Sequence, residues 1–102
     1  MAAALFGAAR RHARWGALTE AQKAAGAAEL RQIAGNRPDL LAEVAGILLG
    51  AREGALDEPR ARSAARLCRL AGADEALIPQ WAEEGKRRAA DARMRPHGYG
   101  PR

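Results

Sequence analysis

The chain has 102 residues, 28% of them charged, with a formal net charge of +5 and a pI near 10.6. That is the size of one domain, and the positive balance favours polyanionic partners over acidic-site chemistry. A single cysteine, Cys68, excludes an intrachain disulfide and fits a reducing, cytoplasmic setting, and the longest apolar run, Val44 to Ala51, is too short for a membrane span.

The hydrophobic share of 48% overstates the core, because 27 of those residues are alanine. Alanine forms helices readily but buries little area, which predicts close-packed helices around a thin core. Small domains also bury a lower fraction of their surface, so a homodimer or another protein partner is one way to complete such a core.

Ala2 to Arg14 places Leu5, Phe6, Ala9 and Ala13 at helical spacing. Arg10, Arg11 and Arg14 fall near the end of this helix, where cations complement the macrodipole, and Gly16 is its expected stop. Its arginines follow the apolar positions rather than precede them, so residues 1–15 read as an ordinary amphipathic helix and not as a secretory signal. Thr19-Glu20-Ala21-Gln22 has the form of a capping box, which predicts a second helix from Glu20 to Gly35. With only Leu30 and Ile33 as large apolar anchors, it is expected to be the most exposed of the set.

The central helix is expected over Pro38–Glu53, with Asn36 as N-cap and Pro38 and Asp39 in the first turn. Leu40, Leu41, Val44, Ile47, Leu48 and Ala51 form one broad stripe, and Leu49 lies on the far side. A helix apolar nearly all round is a buried one. Its narrow remaining arc carries Glu43, Gly46, Gly50 and Glu53, and the Gly46/Gly50 spacing admits another backbone at close range. That backbone belongs either to the same chain or to a partner, which makes these four residues the candidate interface.

Leu56-Asp57-Glu58-Pro59 repeats the grammar of a helix start, and Gly72 is the expected end. Ala61, Ala64, Ala65, Leu67, Cys68 and Ala71 make the inner face; Arg62, Arg66 and Arg69 stand at i, i+4, i+7 on another. Arginine at that spacing can follow a phosphate backbone, and a solvated helix face has the same pattern. Ala73 to Leu77 is a connector or a single turn. Pro79 opens a last helix in which Ile78, Ala82, Gly85, Ala89 and Ala92 give a narrow seam, Trp81 is the largest anchor, and Lys86, Arg87 and Arg88 extend the basic character. From Arg95 onward, Pro and Gly without periodicity predict a disordered tail, residues 95–102, after a single helical domain at residues 1–94.

The inventory for catalysis is thin: one serine (Ser63), one threonine (Thr19), one thiol (Cys68), and His12 and His97 in opposite terminal segments. No pairing has metal-ligand spacing, so no enzyme activity, cofactor, metal or small-molecule substrate is expected. A helix-turn-helix reading of Cys68, Gly72, Ile78 and Trp81 fails, because Pro79 would interrupt the recognition helix and Asp74 and Glu75 would face phosphate.

Leu56-Asp57-Glu58-Pro59, Ala71-Gly72-Ala73-Asp74 and Ile78-Pro79-Gln80-Trp81, within Leu56 to Arg93, resemble small helical proteins without assigned activity encoded in high-GC actinobacterial genomes. The resemblance implies a bacterial, cytoplasmic setting and transfers no functional residue. The expectation is therefore an all-α bundle of four to five short helices with one of two roles. The first is a nucleic-acid-associated accessory protein using Arg62, Arg66, Arg69, Lys86, Arg87 and Arg88, favoured on charge alone. The second is a protein-interaction module, dimer or adaptor, using the glycine arc.

Overall fold

A computed structural model describes residues 2–14, 17–51 and 58–94. These fold into α1 (Ala2–His12), α2 (Glu20–Ala34), α3 (Pro38–Ala51), α4 (Glu58–Leu70) and α5 (Ile78–Met94), with a single 3₁₀ turn at Glu75–Leu77 and no strand among the described residues. The architecture is an all-α bundle around a central helix, α3. The expected stop at Gly16, the Leu56-Asp57 start, the interface candidate Glu53 and the tail at 95–102 lie outside the described residues.

α3 buries Leu41, Ala42, Val44, Ala45, Gly46, Ile47 and Leu48, residues that between them point to every side of the helix. α4 packs on one side of it, with α1 and α2 completing that layer, and α5 packs on another. The layer opposite α5 is knit from small residues. Ala8, Ala9 and Ala13 of α1, Ala27 and Ala34 of α2, and Ala61, Ala64 and Ala65 of α4 are all buried, around Leu5, Leu30 and Leu67 as the large plugs. α2 therefore seats itself through Gly26, Ala27, Leu30 and Ala34, although its sequence offers few large anchors. Alanine lets helix axes approach closely, which is how a core with few large side chains is closed.

Local chemistry decides where the helices begin and end. Thr19 completes the capping box: its hydroxyl accepts from the Gln22 backbone N–H at 3.1 Å, and the Gln22 side chain accepts from the Thr19 N–H at 2.8 Å. Thr19→Ala should cost about 1 kcal/mol and lower Tm by about 4–8 °C in thermal unfolding. At the start of α3 the cap falls on Arg37 rather than Asn36. The Arg37 carbonyl accepts from Leu40 and Leu41, and its guanidinium reaches forward to Asp39 at 2.8 and 3.0 Å. The reason is Pro38, which occupies the first helical position and leaves the cap to its immediate predecessor. α4 closes at Gly72, whose φ of 112° is a region glycine enters without strain. The connector then folds back, and the Asp74 N–H donates to the Pro38 carbonyl at 3.2 Å, tying the approach to α5 to the start of α3.

α3 and α5 meet backbone to backbone. A β-carbon placed on Gly46 would collide with Trp81 Cβ and stand 2.7 Å from the Ile78 carbonyl oxygen; one on Gly50 would collide with the Ala82 carbonyl oxygen and stand 3.0 Å from the Lys86 nitrogen. One on Gly85 would stand 2.5 Å from the Ile47 carbonyl oxygen. Real β-carbons do not approach other atoms so closely, so these three glycines are what allow the crossing. The pairing of 46 with 78–82 and of 50 with 82–86 also shows that the two helices run in the same direction.

On the far side of the bundle, α1 is clipped to α2 by one carboxylate. Glu29 accepts from Arg11 at 2.6 Å and pairs with His12 at 2.5 Å. The bond to His12, then that to Arg11, holds the Glu29 carboxyl below its ordinary value. A depressed carboxyl contributes stability above its unfolded pKa, lost as pH falls through the folded one. Thermal unfolding against pH should therefore show the native chain losing Tm below about pH 4 more steeply than Glu29→Gln, which has no proton to take up there.

Candidate nucleic-acid interface

α4 has the sharpest division of faces in the molecule. Ala61, Ala64, Ala65, Leu67 and Cys68 are buried, and Arg62, Arg66 and Arg69 are exposed on the opposite side. The rise of an α-helix spreads the three arginine positions over about 10 Å. Arg69 reaches Glu75 of the 3₁₀ turn at 3.1–3.2 Å, an exposed pair of small energetic weight. Glu20, at the start of α2, has its carboxyl held below the usual range by its bond to Lys23, and the Arg66 charge acts weakly in the same direction.

The second basic run is placed differently. Lys86 pairs with Glu83 at 3.2 Å, Arg88 with Glu84 at 2.8 Å, and Arg87 also with Glu84. Glu84 is held below the usual carboxylate range by its bonds to Arg87 and Arg88. These are i, i+3 and i, i+4 pairs along α5 itself. A surface depression of about 490 Å³ lies along this helix and is lined by Glu84, Arg87, Arg88, Ala90 and Asp91, two acids against two bases. It offers no positive well. α4 and α5 each pack on α3, with little contact between the two.

The glycine arc is where α5 lies. Gly46 is buried and Gly50 half-buried beneath Trp81, Ala82 and Lys86, with Glu43 half-buried on the same helix. The close backbone approach that the spacing permits is made within the chain.

Two residues beside the arginine stripe carry a role that the sequence reading did not assign. Arg31, in the last turn of α2, donates through Nη2 to the Leu70 carbonyl at 3.0 Å, which both caps α4 and anchors a fourth guanidinium next to Arg66 and Arg69. Leu70 itself is 46% exposed. Its exposure is readable in retrospect, since it stands four residues after Arg66 on the outward face. Arg31 could not be found that way, because only the packing of α2 on α4 brings it there.

Cys68 is fully buried, and burial pushes its thiol up to about 12 against a small opposing effect of Arg69. It is a neutral packing residue at physiological pH. Among the described residues no group of three or more His, Cys, Asp or Glu is placed to hold a metal ion, and no helix is long and apolar enough to cross a membrane. No known protein family, curated protein or solved structure matches the chain.

Proposed function

We propose that the protein is a small helical accessory factor that associates with nucleic acid through phosphate contacts from the outward face of α4. The observation that carries this reading is the Arg62, Arg66, Arg69 face, extended across the helix boundary by Arg31. Guanidinium groups suit phosphate oxygens because their N–H groups form a planar fork and their charge never titrates away. Lys86, Arg87 and Arg88 contribute less, since Glu83 and Glu84 on the same helix leave that run with little net charge. The alternative is a protein-interaction module, homodimer or adaptor, whose partner would meet a face other than the Gly46/Gly50 surface on which α5 packs. A bacterial cytoplasmic setting belongs to the same proposal: it rests on the actinobacterial likeness of Leu56 to Arg93 and on a lone cysteine kept as a buried thiol.

Three to four phosphate contacts predict that affinity falls about 40- to 150-fold between about 50 and 200 mM salt. In a gel shift or anisotropy titration, changing Arg62, Arg66 and Arg69 together to glutamine should weaken binding and reduce the salt slope by about 3. The same change at Lys86, Arg87 and Arg88 should leave most of the affinity. Binding that is absent at low salt, or indifferent to salt, overturns the proposal.

A further inference from the structure

The surface beside Arg66 has a component that phosphate contacts leave unused. Leu70 is the one large hydrophobic side chain exposed among the described residues. With Ala24 and Ala27 of α2 it lines a shallow recess of about 350 Å³, edged by Glu20, Lys23 and Arg31. Around the apolar floor there are two cations, Lys23 and Arg31, and one carboxylate, itself bonded to Lys23 at 2.7 Å; Arg66 stands one helical turn before Leu70 on the same exposed face of α4. The bond from Arg31 to the Leu70 carbonyl pins a guanidinium plane at the rim.

We propose that this recess receives an unstacked base, so that the polyanion bound by α4 is single-stranded nucleic acid in preference to duplex. The inference rests on the proposed phosphate-binding role and names the form of its ligand. A duplex keeps its base faces stacked and presents only rails of phosphate and sugar, which satisfy arginines and leave Leu70 in water. A single strand offers a flat apolar face beside every phosphate. Such a face covers Leu70, Ala24 and Ala27, and the pinned Arg31 stacks against it, while Lys23 and Arg66 take the flanking phosphates. The shape of the site agrees: a leucine that wedges into a duplex must stand proud, whereas Leu70 lines a hollow that a base can enter.

The test compares the full chain binding a labelled single strand of about 20 nucleotides with its binding of the duplex of the same sequence at one low salt concentration. The single strand should bind about five- to tenfold more tightly. Leu70→Ser, at an exposed position and checked for helix content, should remove that preference while leaving duplex affinity within about twofold. Arg31→Lys keeps the charge and loses the plane, and should weaken the single strand selectively. Equal affinity for both forms, or equal losses on both from Leu70→Ser, overturns the base-binding recess while the phosphate reading stands. If neither form binds, both readings fall, and an acidic peptide bearing leucines that perturbs the Leu70 and Ala24 resonances identifies a protein partner instead.

Discussion

Gly50→Ala should destabilise the domain by about 2–3 kcal/mol and lower Tm by about 10–20 °C, measured by thermal and denaturant unfolding. Elsewhere in a helix the same change is favourable by up to about 1 kcal/mol, because alanine has the lower backbone entropy cost. At Gly50 the added carbon meets the carbonyl of Ala82 and the nitrogen of Lys86. Those are backbone atoms of α5 and cannot rotate aside, so the two helices must part and the dispersion contacts along the crossing are lost. Gly7 supplies the internal control. It lies within α1, is exposed, and a β-carbon there meets nothing within 4 Å. Gly7→Ala should therefore raise stability by about 0.5–1 kcal/mol. Equal effects at the two positions would contradict the backbone crossing.

Leu67→Ala is expected to cost about 3 kcal/mol, the second large loss, for a different reason. Leu67 is fully buried and its two terminal methyl groups lie 3.0 and 3.1 Å from where a β-carbon on Gly26 would stand, with His12 Cγ at 3.3 Å. Truncating it opens a cavity where α1, α2 and α4 meet, and the surrounding alanines have little side chain with which to refill it. The partner change is informative. Gly26→Ala in the native background presses on the flexible end of Leu67 and should be nearly neutral, crowding against helix propensity. In the Leu67→Ala background the two closest contacts are gone and only His12 remains near, so Gly26→Ala should restore about 0.5–1 kcal/mol. Denaturant titration of the four proteins closes the cycle, and strict additivity would mean that the two residues do not share this space.

The parts of the fold governed by local chemistry were legible in the chain. Leu40 to Leu49 announced a helix apolar nearly all round, Thr19 and Gln22 announced a start, and Gly72 an end; all three are realised. The Arg37 cap was missed because Asn36 has the better intrinsic propensity, while the geometry of Pro38 decides which residue precedes the helix. What resisted reading was anything that depends on which element lies across a face. The spacing of Gly46 and Gly50 says that a backbone comes close, and only the folded chain says whose. In α5 a signal was present: Glu83 and Glu84 stand three and four residues before Lys86, Arg87 and Arg88, the spacing at which a helix neutralises its own charge. For the candidate surface, the α4 arginines were visible as a stripe, but the recess beside them arises only from docking α2 on α4.

The interlocked glycines also bear on motion. Packed helices commonly accommodate change by sliding past one another through small shears, with side chains flexing to follow. Between α3 and α5 there is little side chain to flex. Gly46 and Gly50 receive the backbone of α5 while Gly85 receives that of α3, like teeth cut on both edges. A slip of one turn would carry β-carbons into the spaces that only glycine leaves. Sliding is therefore the costly direction at this crossing, and a change of register between α3 and α5 requires the two backbones to separate first.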